Sequence, residues 1–314
     1  MKKNYLTTTI KIAISLIILV ILIYKLDYKI LLDNLIIFPI LGIGLFMTNY
    51  FMTLILNSLA LFLILDYKKK RISFKEFLKM NWFSFSLGQF SPARSGEVSI
   101  VYFLKKKYNI SMGESSASFI IYKMFTMITL LLFAIFTAYI YFNSLYNWHL
   151  ILIIFLIIIF GFLFTITNSK IRFLIKKYIL RKYASVMTGF YKKFKSIFKK
   201  PHLLFLAVLI NVSKLIYNAL IIAITLSILG IEAPLLLIVG INSISLIISF
   251  IPISFSGIGI KESVAVFLFY YLGFNAHIIA TIYLILTAIY FIINFFTFQY
   301  FIYTKPNLYA ERKI

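Results

Sequence analysis

Otherwise apolar sequence is interrupted by one short polar stretch, Ser91-Pro92-Ala93-Arg94-Ser95-Gly96-Glu97. Arginine and glutamate are costly in hydrocarbon, and membrane proteins usually keep them there for function. A second stretch of similar order follows about half a chain later, Pro252-Ile253-Ser254-Phe255-Ser256-Gly257-Ile258-Gly259-Ile260-Lys261-Glu262. Apolar runs come directly after each, at residues 98–104 and 263–272. Paired segments interrupted by glycine and proline in the two halves of a membrane protein predict a substrate site where the halves meet.

The composition excludes an ordinary soluble domain. Of the 314 residues, 62% are hydrophobic, 18% aromatic and 13% charged, and the mean hydropathy is +0.98. These values predict an all-α polytopic membrane protein. The formal net charge of +23 does not indicate nucleic-acid binding, because the basic residues cluster between apolar runs, where they set topology and contact anionic lipids. The absence of cysteine excludes disulfides and thiolate chemistry.

Six apolar runs are long enough to cross about 30 Å of hydrocarbon as helices. They are residues 7–26, 35–65, 115–142, 148–167, 203–229 and 277–303. The first is predicted to be a retained span rather than a signal peptide, because bulky and charged residues follow it instead of a cleavage site. A short loop at 25–34 precedes the second, which is long enough to be tilted and has Pro39 in its first turns.

Basic clusters indicate the orientation of the chain. Lysine and arginine concentrate in a predicted loop at 66–81, at 105–107, at 170–200 and at the C-terminus. The positive-inside rule places these segments, and with them both termini, in the cytoplasm of a multi-pass protein of the cell membrane.

The two interrupted stretches predict broken helical hairpins. Residues 82–90 and 98–104 are each too short to cross, and basic clusters flank both, so this hairpin is expected to enter from the cytoplasm and return there. The second hairpin, residues 233–272, would open to the other side. Together they predict about six spans plus two hairpins related as an inverted repeat, or about eight spans if the hairpins cross.

We expect residues 1–314 to form a single membrane domain. Within it, residues 170–200 carry eleven basic residues and no acidic residue. Apolar residues recur there at helical spacing: Ile171, Leu174, Ile175, Tyr178 and Ile179. This pattern is typical of a basic amphipathic helix on the inner leaflet. A solvated charge run that only fixes topology explains the same residues, and both interpretations stay open.

The polar residues of the two stretches form a candidate site for an anionic headgroup. A helix that begins inside the membrane directs free N–H groups towards a ligand, and Ser91-Pro92 would supply its cap and first turn. Arginine adds a planar fork suited to phosphate. The candidate binding residues are Arg94, Ser95, Gly96, Glu97, Lys123, Lys214, Ser256, Gly257, Gly259, Lys261 and Glu262.

The two glutamates need partners or protons at this depth. One interpretation is structural, with Glu97 paired to Arg94, and Glu262 to Lys261 or Arg94. The other is that a glutamate exchanges a proton as the lipid phosphate arrives or leaves. Lys123 and Lys214 lie deep in their spans, where they would either line an electropositive pocket or pair with the same glutamates.

Catalytic patterns are scarce. The three histidines stand singly near predicted span ends, and no DxD, HExxH, GxSxG or P-loop pattern occurs. No metal or cofactor is expected, and the protein is not expected to be an enzyme. A lipid-modifying transferase with Glu97 or Glu262 as general base stays open, as does an accessory subunit of cell-envelope lipid or glycan synthesis. A third alternative is a scaffold protein that recruits partners through residues 170–200.

The two stretches resemble those of the lysylphosphatidylglycerol synthase transmembrane-domain family, the flippase-like integral membrane proteins. In that family a Pro-x-Arg-x-Gly-Glu motif precedes an apolar helix, and it is matched here by Pro92, Arg94, Gly96 and Glu97. A later Pro-x-x-x-x-Gly-x-Gly-x-x-Glu motif is matched by Pro252, Gly257, Gly259 and Glu262. The resemblance covers nearly the whole chain.

This resemblance implies a membrane domain that binds or translocates a phospholipid or a polyprenyl-phosphate-linked lipid. Its expected partners are anionic membrane lipids, with a second copy of the chain or an enzyme of envelope synthesis left open. One departure is Tyr122-Lys123, where the family often carries an acidic residue beside an arginine. No segment here has the composition of the soluble aminoacyl-transferase domain of full-length synthases, so lysyl transfer by this chain alone is not expected.

Overall fold

The computed structural model describes residues 2–65, 72–142, 168, 189–251 and 253–304. These residues form eleven α-helices and one 3-10 helix at Pro92–Val98, with no strand among them. The α-helices are α1 Lys2–Lys25, α2 Tyr28–Ile36, α3 Ile40–Leu65, α4 Phe74–Gln89, α5 Ser99–Tyr108, α6 Met112–Tyr141, α7 Phe190–Phe198, α8 Pro201–Ile228, α9 Leu235–Ser249, α10 Ile260–Tyr271 and α11 Ala276–Thr304. The predicted all-α polytopic class is confirmed.

Four of the predicted spans correspond to long apolar helices. Within the described residues, α3, α6, α8 and α11 have the length and hydropathy to cross a membrane. Helix α1 has 24 residues and therefore a length of about 36 Å, and it covers the predicted first span. The predicted span at 148–167 lies outside the described residues.

The sequence prediction was wrong between residues 25 and 39. Residues 28–36, expected in a loop and at the start of a long span, form the separate helix α2, which is capped by the Asp27 carboxylate accepting from the Lys29 N–H at 3.0 Å. Helix α3 begins only at Ile40, after Pro39 rather than before it. The reason is that a proline disfavours the helical conformation in the residue that precedes it. The helical conformation is therefore interrupted at Phe38, and a new helix begins after Pro39.

The loop predicted at 66–81 was also too long. Helix α4 begins at Phe74, so the first arm of the hairpin has 16 residues rather than nine. Ser73 caps this helix by accepting from the Glu76 N–H at 3.4 Å, and Phe77 and Met80 are fully buried. The Ser-x-x-Glu capping pattern before an apolar run was the signal available in the sequence.

The first hairpin folds back on itself around the 3-10 helix. Ser99 Oγ donates to Ser84 Oγ at 3.0 Å, the rings of Phe83 and Phe103 are 5.5 Å apart, and Lys107 Nζ lies 3.3 Å from Glu76 Oε1 at the open end. Helices α4 and α5 therefore run antiparallel. Neither is long enough to cross alone: even the 16 residues of α4 extend about 24 Å.

The described residues contain two copies of one arrangement. In each, a long helix is followed by a short one, an irregular break, a second short helix and another long one: α3, α4, α5 and α6, then α8, α9, α10 and α11. The first short arm of each copy packs on the last long helix of the other, since α4 contacts α11 and α9 contacts α6. The two copies therefore interlock instead of forming separate halves.

The two copies run in opposite directions. Asn57 of α3 bonds to Lys214 of α8, and Gly42 near the start of α3 faces Thr225 near the end of α8. These contacts make the equivalent helices α3 and α8 antiparallel. The copies are therefore related by a pseudo-twofold axis across the helices, which is the inverted repeat expected from the sequence.

Two hydrophobic cores occupy opposite ends of the bundle. One contains the start of α4 and the end of α5, with Phe77 and Leu104 among its buried residues. The other contains the start of α9 and the end of α10, with Leu237 and Phe269. Each hairpin thus enters from a different end, and its break points towards the middle of the molecule.

The described part of the basic segment packs against protein. In α7, Phe194 and Ile197 are buried in the core that holds the first hairpin, and Lys193 Nζ donates to the last carbonyl of α3, Leu65 O, at 2.9 Å. The opposite face exposes Lys192 and Lys195. Residues 170–188, which carry the rest of the predicted amphipathic pattern, lie outside the described residues.

Candidate functional site

A cavity of about 150 Å³ lies between the two repeats. Both copies contribute to its wall, including the first arms of both hairpins and the long helices α3, α6, α8 and α11. Its charged lining residues are Arg94, Glu97, Lys123, Lys214 and Lys261. Five of the eleven predicted site residues therefore face one space, although they are spread over 168 positions of sequence.

Arg94 is held at the cavity by the backbone of the first break. The Ser91 hydroxyl accepts from the Gly96 N–H at 2.6 Å and donates to Gly88 O at 3.1 Å, which ties the 3-10 helix to the end of α4. Within this turn Arg94 has a φ of 55°, in the left-handed region that non-glycine residues rarely adopt. Its guanidinium lies 5.8 Å from the ring centre of Phe250, at the start of the second break.

Glu97 is paired across the cavity wall. Its carboxylate accepts from Lys123 Nζ of α6. Pairing with Lys123 and pairing with Arg94 were both open from the sequence, and the structure has the pair with Lys123. The side chain of Glu97 is 10% exposed and that of Lys123 27%. Lys123 also lies 6.0 Å from the ring centre of Phe250. This ion pair therefore joins the first break to α6 and to the second repeat.

Lys214 has only neutral partners among the described residues. Its Nζ donates to Asn57 Oδ1 at 2.8 Å and to Asn211 Oδ1 at 3.0 Å, and none of the described carboxylates lies within 4.0 Å of it. Asn57 Oδ1 also accepts from Tyr122 OH at 2.7 Å. A cation is thus held by amides at the contact between α3 and α8.

The second break is closed by its own glutamate. Glu262 is fully buried and its Oε2 accepts from the Gly259 N–H at 2.7 Å, which caps the start of α10. Its other oxygen accepts from Thr287 Oγ1 of α11 and lies 3.4 Å from Lys261 Nζ. The predicted pairing of Glu262 with Lys261 is confirmed, and Lys261 still faces the cavity.

Six predicted site residues lie outside the cavity lining. A Cβ on Gly96 would lie 2.3 Å from Leu87 O, and one on Gly257 would lie 2.5 Å from Ser249 Cβ, so these glycines let the breaks pack against their own first arms. Ser95 is exposed, while Ser256 is buried with its hydroxyl unpaired. Gly259 and Glu262 bond to each other. A role of these six in ligand binding stays a prediction.

The N–H groups of the breaks are largely used within the protein. The N–H of Gly96 donates to Ser91, that of Gly259 to Glu262, and that of Phe255 to Ser15 Oγ of α1 at 2.7 Å. From the sequence, such groups were expected to face a ligand. In the structure the side chains of Arg94 and the three lysines supply the positive charge of the cavity.

Several lining residues were not predicted. Asn242 and Tyr283 belong to an amide and phenol network in which Tyr283 OH donates to Asn242 Oδ1 and Asn242 Nδ2 donates to Asn218 Oδ1 at 3.2 Å. Asn57 lies in a second set, where it accepts from Tyr122 and Lys214. Asn57 and Asn242 stand inside apolar runs of α3 and α9, and a polar side chain inside a membrane segment is the signal that could have found them.

The lining of the cavity is mainly cationic. Both nearby carboxylates, Glu97 and Glu262, are occupied by protein partners. In the part of the chain that the structure describes, no group of three metal-ligating side chains occurs. The histidines in that part, His202 and His277, lie at the first turns of α8 and α11, away from the cavity.

The fold and this cavity define a polytopic membrane protein in which two inverted broken hairpins enclose a cationic pocket. The family model for the lysylphosphatidylglycerol synthase TM region matches residues 8–296, and the chain belongs to this family. No curated protein matches the chain. The resemblance found in the motifs of the two breaks is thereby confirmed over nearly the whole sequence.

Proposed function

We propose that the protein is a lipid flippase or transporter that binds an anionic lipid headgroup in the cavity between its two hairpins. The observation that carries this proposal is the lining of the cavity, which combines four cations with one carboxylate. Intramembrane charge of one sign is costly unless a ligand of the other sign visits it. A glycerophospholipid or a polyprenyl-phosphate-linked lipid would bring that charge.

The depth of the cavity supports movement across the membrane. Lys214 lies halfway along the 28 residues of α8, about 20 Å from either end of the helix. A headgroup held there would be near the middle of the bilayer, where transporters with inverted repeats bind their substrates. Because one hairpin enters from each end, tilting either would open the cavity to one side at a time.

The distribution of charge supports a cytoplasmic position for the end that holds the first hairpin. Lys105, Lys106 and Lys107 lie there together with the exposed lysines of α7, and basic residues concentrate on the cytoplasmic side. Helix α1 begins and α11 ends at this same end, since Leu22 packs on the core at the opposite end and Phe301 on this one. Both termini would then be cytoplasmic, in the cell membrane.

The test is transbilayer movement of a labelled anionic phospholipid in vesicles that contain the purified protein. The wild type should move the lipid faster than protein-free vesicles, and Arg94→Ala should reduce the rate at least tenfold. Lys105→Ala removes an exposed cation at the end of α5 and serves as the matched control, which should keep the wild-type rate. Unchanged movement in Arg94→Ala would remove Arg94 from the mechanism.

A lipid-modifying transferase would give a different result. Its product would be a new headgroup mass in lipid extracts of cells that contain the protein, which a flippase does not produce. Glu97 accepts from Lys123 and Glu262 from Thr287, so either carboxylate would have to exchange a protein partner for a substrate before it acted as general base. We therefore expect unchanged headgroup masses, together with movement of the lipid.

A further inference from the structure

We infer that the preferred headgroup carries two negative charges on one terminal phosphate, as in a phosphomonoester lipid, rather than the single charge of a phosphodiester. This inference rests on the proposed function and narrows its substrate class. The starting observation is that two of the four cations at the cavity have no carboxylate partner among the described residues.

The charges can be counted from their contacts. Arg94, Lys123, Lys214 and Lys261 line the cavity. Lys123 is offset by Glu97 and Lys261 by Glu262, which leaves two cations, Arg94 and Lys214. Among the described residues no carboxylate lies within 4.0 Å of either one.

The other acidic residues of the described part do not offset these cations. Residues 143–188, most of which lie outside the described residues, contain no aspartate or glutamate in the sequence. Asp66 and Glu311 lie outside the described residues, the first directly after the last residue of α3 and the second seven positions after that of α11. The other acidic residues of the described part do not line the cavity: Asp27, Asp33, Glu76, Glu114 and Glu232. The surplus of positive charge therefore belongs to the cavity itself.

A surplus of two cations favours a dianion. A buried charge without a counter-charge destabilises a protein, and an ion of opposite sign relieves that cost. Lys214 meets only amide oxygens of Asn57 and Asn211, and Arg94 meets the ring of Phe250. A monoanion would neutralise one of these cations and leave the other, whereas a dianionic phosphate neutralises both.

The size of the cavity supports a small terminal group. Its volume is about 150 Å³, whereas pockets that enclose a whole drug-sized ligand measure roughly 300–1,000 Å³. A terminal phosphate is the smallest lipid headgroup with this charge. A phosphodiester has a further substituent on its phosphate, which would need space in the same cavity.

The test compares two probes with identical acyl chains, phosphatidic acid and phosphatidylglycerol, binding to the purified full chain in an uncharged detergent at pH 7. A phosphomonoester has a second pKa of about 6 and is then a dianion, whereas phosphatidylglycerol carries one charge. Calorimetric titration should give at least tenfold tighter binding of phosphatidic acid. Lowering the pH to 5 should remove this preference, because the phosphate loses its second charge.

Two variants connect the preference to the unpaired cations. Lys214→Gln and Arg94→Gln should each bring the ratio of the two affinities close to one, while Lys105→Gln at an exposed position keeps it. Circular dichroism and gel filtration identify a variant that fails to fold, in which case the other variant and the pH series decide.

The failures can be distinguished. Equal affinity of the wild type for both lipids, or a preference that survives both variants, would overturn the inference and leave the proposed function standing. Binding of neither lipid would overturn both.

Discussion

Arg94 and Lys123 show how single residues connect the two repeats. Both approach the ring of Phe250, at 5.8 Å and 6.0 Å, although Phe250 belongs to the second break and both cations to the first repeat. Aromatic faces attract cations, most strongly when water is excluded. The sequence predicted the cations from their cost in an apolar chain, but it contained no sign that both would meet the ring of Phe250.

Removing one partner of the ion pair between Glu97 and Lys123 should destabilise the fold. Glu97→Gln leaves a partly buried lysine unpaired and should lower the free energy of unfolding by about 3 kcal/mol. The double variant Glu97→Gln with Lys123→Gln should recover more than half of that loss. Chemical unfolding in detergent, followed by circular dichroism, measures both.

The comparison is Glu76→Gln at the open end of the hairpin, where the Glu76 side chain is 36% exposed, against 10% for Glu97. This change breaks the pair with Lys107 and alters the acceptor of the Tyr108 hydroxyl. Exposed pairs contribute about 1 kcal/mol or less, so this change should cost less than Glu97→Gln. Equal losses in the two single variants would show that the intramembrane pair is no more stabilising than a surface one.

At the scale of elements, the sequence predicted the breaks better than the arms around them. Proline, glycine and charge mark a break directly, and both breaks lie where expected. The arm boundaries depend on tertiary contacts: α4 extends eight residues further towards the N-terminus than predicted because Phe77 and Met80 are buried against neighbouring helices. The short helix α2 was also missed. Leu31 is its only buried side chain, so its sequence carries little of the apolar periodicity by which a helix is recognised.

The first break depends on the close approach of its backbone to α4. Gly96→Ala would place a Cβ 2.3 Å from Leu87 O and 2.4 Å from Leu87 C, atoms of the backbone that cannot rotate away. We expect this variant to lower the melting temperature and to abolish binding of anionic lipid, because Arg94 lies in the same turn. Differential scanning fluorimetry and a lipid-binding titration measure the two effects.

Gly44→Ala is the matched control for this change. Gly44 lies in α3, and a Cβ added to it would meet nothing within 4 Å. A helical glycine replaced by alanine gains up to about 1 kcal/mol, so this variant should be neutral or stabilising. If Gly96→Ala proved as stable as Gly44→Ala, the close approach of the turn around Arg94 to the backbone of α4 would be contradicted.

At the scale of the whole molecule, the two repeats explain why the site could be predicted only in part. The sequence indicated two halves that meet at a site, because both breaks share one order of residue types. It could not show which lysine faces which glutamate, since Glu97 and Lys123 are 26 positions apart and their contact depends on how α6 packs beside the hairpin. It also could not show that Lys214 has amides as partners, because Asn57 lies 157 positions away.

Occupation of the cavity by an anionic headgroup is tested most directly by protection of a thiol placed there. Since the chain contains no cysteine, Thr126→Cys introduces a single thiol into the cavity lining, and Tyr139→Cys introduces one on the exposed face of the same helix. The rate of thiol modification is measured with and without a short-chain anionic phospholipid, and with phosphatidylcholine as the uncharged comparison. The anionic lipid should slow modification of Thr126→Cys at least threefold and leave Tyr139→Cys unchanged; equal rates at Thr126→Cys with and without the anionic lipid would contradict a headgroup site between the inverted hairpins.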